Sequence, residues 1–178
     1  MLDHQTLGAD AAPCPGCGGQ FAPALPVTHP YLESSPGCWA AFGEVLAREY
    51  SDRSLLDVHR LTVDAYAVQH PGARRSRQAI QSVGLHLCRL LLVLEHGLPA
   101  ELANDAMLTL GRHKATFTWL EPPAEPVLLT IADVLPLVEP SQHRAAVQAW
   151  SRAVLDAWLV HRAALERWLA LAGVIRGA

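Results

Sequence analysis

The chain has 178 residues, 51% apolar and 17% charged, with a formal net charge of −3. That length suffices for one domain spanning 1–178 with a full hydrophobic core. The slightly acidic balance excludes a nucleic-acid binder, whose footprint is a basic patch or stripe.

Residues 1–12 carry Asp3 and Asp10, no basic region and no apolar run, so no secretion leader is expected. Residues 10–36 contain Pro13, Pro15, Pro23, Pro26, Pro30 and Pro36 without a helical period. Each proline removes a donor and biases its predecessor to extended angles. Residues 1–36 are therefore expected to form a non-helical arm with little core of its own, which something must pin. Inside it, "PCPGCGG" sets Cys14 and Cys17 at a spacing that lets both sulfurs meet one ion. Gly16, Gly18 and Gly19 suit the tight turn this needs. The same spacing serves redox dithiols, although these belong to a strand–helix context that is missing here.

Beyond Pro36-Gly37 the pattern becomes helical. "CWAAFGEVLAREY" spaces Trp39, Phe42, Val45, Leu46 and Tyr50 in steps of three and four. After a break near Ser51-Asp52, Leu55, Val58 or His59, Thr62, Tyr66 and His70 share the face of a second helix, stopped by Pro71-Gly72. A third helix is predicted from Ser76 to His96, with Arg74, Arg75 and Arg77 forming a solvated turn at its start. Its most apolar part, Leu85 to Leu94, holds His86 and Arg89 and is too short to cross a membrane. A fourth runs from Pro99, a favoured first helical position, to Lys114. Residues 115–140 are proline-rich and read as a loop with one short helix, Thr130 to Leu135. The last segment, Ser141 to Ala172, reads as one long helix with a stripe of Val147, Trp150, Val154, Trp158, Leu165 and Trp168. With no repeat and no strand pair, the expected class is all-α: a multi-helix bundle over 37–178 with a proline-rich N-terminal arm pinned by a metal site.

Four cysteines without a leader fit a reducing, cytoplasmic setting, where thiols serve as ligands or packing. Cys38 opens the first helix, where free N–H groups favour a thiolate. A very short turn joins the first two helices, so they should pack antiparallel. That places the start of the first, Cys38, beside the end of the second, His70. His59 lies about 16 Å from His70 on the same helix, and His86 sits on a helix running away. His29, within the arm, is the rival fourth ligand, and water is a further one. Three sulfurs in tetrahedral geometry favour zinc. An iron–sulfur cluster would want a fourth cysteine, and Cys88, mid-helix among leucines, reads as packed core. The competing view makes Cys14 and Cys17 an exposed redox pair and Cys38 a small buried residue.

Asp64 is costly to bury in an apolar helix unless paired, either with a neighbouring helix or with Arg48. A carboxylate or general base near the metal is its sharper role. His59 and His86 could face each other across the second and third helices, forming with Asp64 a polar pocket that Gln78 and Gln81 extend. Trp119 reads as a core plug. No phosphate loop, nucleophile elbow or HExxH pair is present.

The segments "CPGCGG", "SPGCWAAFGEVLAREYSD", "VHRLTVDAYAVQHPG", "QSVGLHLCRLLLVLE" and "TFTWLEPP" together resemble an uncharacterised bacterial family classed as a domain of unknown function. The resemblance runs nearly end to end. It implies that Cys14, Cys17, Cys38 and His70 belong to the family pattern, and it supplies no activity. The expected function is that of a zinc-binding helical protein whose metal is structural and which binds a small molecule or a protein partner. The alternative is a metal-dependent enzyme with an open coordination position, where His70 or Asp64 steers a bound water. A redox-sensing zinc switch is the third.

Overall fold

Four of the helices, those beginning at Pro36, Arg77, Ile131 and Pro140, start where a side chain accepts from one of the first free N–H groups. The structure, a computed structural model, describes residues 11–176, so residues 1–10, which carry most of the leader argument, lie outside it. Helix α1 (Pro36–Ser51) begins with proline in its first turn, and Ser35 accepts from the Cys38 N–H at 3.2 Å. One 3₁₀ turn, Arg53–Leu55, capped by Asp52, leads into α2 (Leu56–Gln69). Ser76 caps α3 (Arg77–Leu94) by accepting from Ala79 N–H at 3.1 Å. Helix α4 (Ala100–Gly111) follows, then α5 (Ile131–Val134) inside a capping box made by Thr130 and Asp133. Glu139 caps α6 (Pro140–Trp158), and α7 (Arg162–Leu171) ends the helical part.

Helix α2 is the axis of the fold. It packs against α1, α3 and α6, which explains why Val58, Leu61, Thr62, Asp64, Ala65, Tyr66, Val68 and Gln69 are all buried, almost all round the helix. The widest plugs of the core are Trp150, Trp158 and Trp168. No described helix is long and apolar enough to cross a membrane.

Two expectations fail. A strand pair does exist: β1 (Ala12–Pro13) lies antiparallel to β2 (Gln20–Phe21), with Ala12 opposite Phe21 and Pro13 opposite Gln20. It forms because the Cys14–Gly19 turn folds the chain back on itself, and two residues per strand are too few to show a period. The last helix is also broken, by the 3₁₀ turn Leu159–His161. No proline or glycine marks that break. Packing sets it: α7 lies on α3, Trp168 stacks on Phe117 with centroids 4.4 Å apart, and His161 Nε2 donates to the Glu121 carbonyl at 2.9 Å.

Cys88 is buried in the α3 core as expected, with its sulfur facing the Leu165 carbonyl and its thiol pushed up by burial. Cys88→Ala is expected to cost about 1 to 2 kcal/mol, as small core truncations do, and to leave metal content unchanged. Denaturant unfolding and elemental analysis of the purified variant check both. Metal lost from Cys88→Ala but kept in Cys14→Ala would mean that the ligands are misassigned.

Candidate metal centre

The Cys14–Gly19 turn is closed by two backbone hydrogen bonds: Gly18 N–H to the Cys14 carbonyl and Cys14 N–H to the Gly19 carbonyl, each 2.8 Å. Gly18 takes φ +74°, in the left-handed region that glycine enters without penalty. Gly16 is required for a different reason. A Cβ there would run into the Glu33 carbonyl and the His70 ring, so only glycine lets the turn close against the histidine.

Cys38 is the third residue of α1, its N–H capped by Ser35 and its sulfur at the positive end of the helix dipole. His70 is the residue at which α2 stops. Its Nδ1 donates to the Tyr66 carbonyl at 2.7 Å, which fixes the ring with Nε2 turned toward the sulfurs.

That nitrogen lies 3.5 Å from Cys14 Sγ and 3.4 Å from Cys38 Sγ, while Cys17 Sγ and Cys38 Sγ are 3.9 Å apart. All four ligand atoms fall within 4.8 Å of one another. A tetrahedral ion bonded at about 2.3 Å to sulfur and about 2.0 Å to nitrogen has S–S edges of about 3.8 Å and S–N edges of about 3.5 Å. The cage therefore has the right size, and the group could hold a metal ion.

The four residues are only 0 to 4% exposed. Crowding shapes their protonation. Hydrogen bonds from Cys17 and then Cys38 hold Cys14 far below the usual thiol range. Cys17 is pushed up to about 12, first by its bond to Cys14, and Cys38 is pushed higher still by its bonds to Cys14 and Cys17. Three sulfurs this close disfavour one another's charge, and a cation among them would favour the loss of their protons. Ser35 N–H donates to Cys14 Sγ at 3.4 Å and Tyr66 O–H to Cys38 Sγ at 3.5 Å. All cysteines are free thiols.

The sequence-predicted residues sort clearly. Cys14, Cys17, Cys38 and His70 come together, and burial removes the exposed redox pair. His29 stays outside the group, its ring against Tyr31 at 4.3 Å and Trp39 at 5.4 Å. The Asp64–His59–His86 pocket does not form. Asp64 instead accepts from Arg89 Nε at 2.6 Å, from a second Arg89 nitrogen, and from His86 Nδ1 at 2.6 Å, all on α3. Arg48 turns elsewhere, donating to the Leu135 carbonyl at 2.7 Å and the Leu137 carbonyl at 3.0 Å. His59 turns to Glu49, with Nδ1 2.9 Å from Oε2. Trp119 is half-buried under the Arg75 guanidinium rather than plugging the core.

Sequence reasoning missed the buried Glu49, which also binds Thr62 Oγ1 at 2.5 Å and His143 Nε2 at 2.9 Å. The signal was present: Glu49 continues the buried helical spacing of Phe42 and Val45. A carboxylate on that face needs partners.

No curated protein and no solved structure shows a match to the chain. Residues 12–159, from the first strand to the turn after α6 and so including all four donors, match the family of unknown function DUF5946, and the chain belongs to that family.

Proposed function

We propose that Cys14, Cys17, Cys38 and His70 bind one zinc ion and that this ion is structural. The observation that carries the reading is the closed donor set: three sulfurs and one imidazole nitrogen at tetrahedral spacing, buried from water. Zinc is favoured because this soft, tetrahedral donor combination suits it better than harder ions. Four protein donors complete its coordination, and closed sites staple rather than catalyse.

The ion would tie the proline-rich arm to the start of α1 and the end of α2, within one domain. The protein's role then falls to its surface, as binding of a small molecule or a protein partner. A metal-dependent enzyme would need an open coordination position, and a redox switch would need a sulfur that oxidants reach. The burial of all four donors supports neither.

Protein purified without chelator should carry about one zinc per chain. Less than about a tenth of an equivalent, with the thiols intact, would sink the zinc reading. X-ray absorption at the zinc edge then separates the roles: three sulfurs and one nitrogen support the staple, and a bound oxygen would support the enzyme.

A further inference from the structure

A zinc ion held by three thiolates and a neutral imidazole leaves one net negative charge, buried with its ligands. Among the described residues no lysine or arginine hydrogen-bonds any of the four donors. The groups that answer the charge include the N-terminus of α1, the Ser35 N–H on Cys14, backbone N–H groups within the Cys14–Gly19 turn and the Tyr66 hydroxyl on Cys38. Of these, only Tyr66 contributes through its side chain.

Its placement is over-determined. The Tyr66 ring lies stacked on Phe42, with centroids 3.9 Å apart and planes 13° apart, and against the His70 ring at 4.1 Å. The same residue's carbonyl holds His70 Nδ1. Tyr66 thus touches two of the four donors, one through its backbone and one through its hydroxyl. A hydroxyl buried in an aromatic stack is costly unless it is bonded, and its acceptor here is the Cys38 sulfur at 3.5 Å. Beside the phenol sits the Ser34 hydroxyl, buried and with no partner of its own. Rotation of that hydroxyl would extend the contact into a Ser34–Tyr66–Cys38 chain, in which each bond polarises the next.

We propose that the Tyr66 hydroxyl sets the donor strength of the Cys38 thiolate, and with it the metal affinity of the site. This rests on the metal assignment above. The hydrogen bond draws electron density from the sulfur, lowering its lone pairs in energy and compensating the buried charge. Tyr66 is a positioning residue in this sense, acting on the ion through Cys38.

Tyr66→Phe keeps the ring stack and the backbone carbonyl and removes only the hydroxyl. Zinc affinity, measured by chelator competition, should fall about tenfold, as loss of a hydrogen bond behind a metal ligand typically does. In the cobalt(II)-loaded variant the sulfur-to-metal charge-transfer band should move to longer wavelength, because an unbonded thiolate gives up its electrons more easily. A purely structural role would lower the melting temperature without moving that band. Unchanged affinity and an unmoved band would overturn the proposal. Should Tyr66→Phe not fold well enough to load, 3-fluorotyrosine at position 66, a stronger donor of the same shape, decides: the band should move to shorter wavelength, and an unmoved band overturns the proposal. Wild-type protein that takes up neither zinc nor cobalt would instead bring down the metal assignment itself.

Discussion

His70→Ala is expected to lower zinc affinity and melting temperature together, while His29→Ala should change little in either. His70 supplies the only nitrogen among the four donors and its ring packs directly on Gly16 of the turn. Removing it opens a coordination position and a void at the same point. Loss of a group behind a ligand costs about tenfold to hundredfold in affinity, and loss of the ligand itself should reach at least the upper end. At saturating metal, a hundredfold weaker site removes about 2.7 kcal/mol of stability. For a domain of this size that is roughly 5 to 10 °C in melting temperature. His29, packed on Tyr31 and Trp39 outside the donor group, has no such role. A competition titration with a chromophoric chelator, run on both variants, is the measurement. Equal affinity in His70→Ala and wild type would rule out the site.

Arg89→Ala is expected to destabilise the fold without touching the metal. Asp64 is fully buried on α2, and Arg89 is its main cationic partner, gripping both carboxylate oxygens from α3. Breaking a buried pair by removing one side leaves an uncompensated charge, which costs about 3 to 5 kcal/mol. His86 Nδ1 also touches Asp64, at 2.6 Å, and keeps one hydrogen bond on the carboxylate after Arg89 is removed. Denaturant melts of Arg89→Ala with zinc content measured in parallel test both parts. A loss under about 1 kcal/mol would sink the reading of Arg89 as the partner that Asp64 requires. The double variant Asp64→Asn/Arg89→Ala should recover part of the stability, because it removes the stranded charge.

Helix positions were legible because their causes are local. Pro36 and Ser76 announce helix starts, and the three-residue steps Trp39, Phe42 and Val45 show the inward face of α1, whereas Tyr50 turns out exposed. The juxtaposition of Cys38 and His70 followed from one further step, the antiparallel packing that a short turn imposes on two neighbouring helices. Asp64 was legible as a group needing a partner, and the partner was not. Arg89 and His86 lie a helix away, and nothing in their local pattern points toward Asp64 rather than toward solvent.

The sequence by itself determined where most helices lie and the four donor residues as candidates, because periodicity, proline placement and ligand type act over a few residues. Tertiary structure alone decided the rest. It chose His70 over His29, since that choice depends on the close approach of Gly16 to an imidazole far along the chain. It broke the last helix at Leu159–His161 to seat Trp168 on Phe117. It also sent His59 to Glu49, where His143 joins it, instead of to a pocket with Asp64 and His86. Each of these depends on which faces meet in the core, and that is set by burying all the apolar stripes at once.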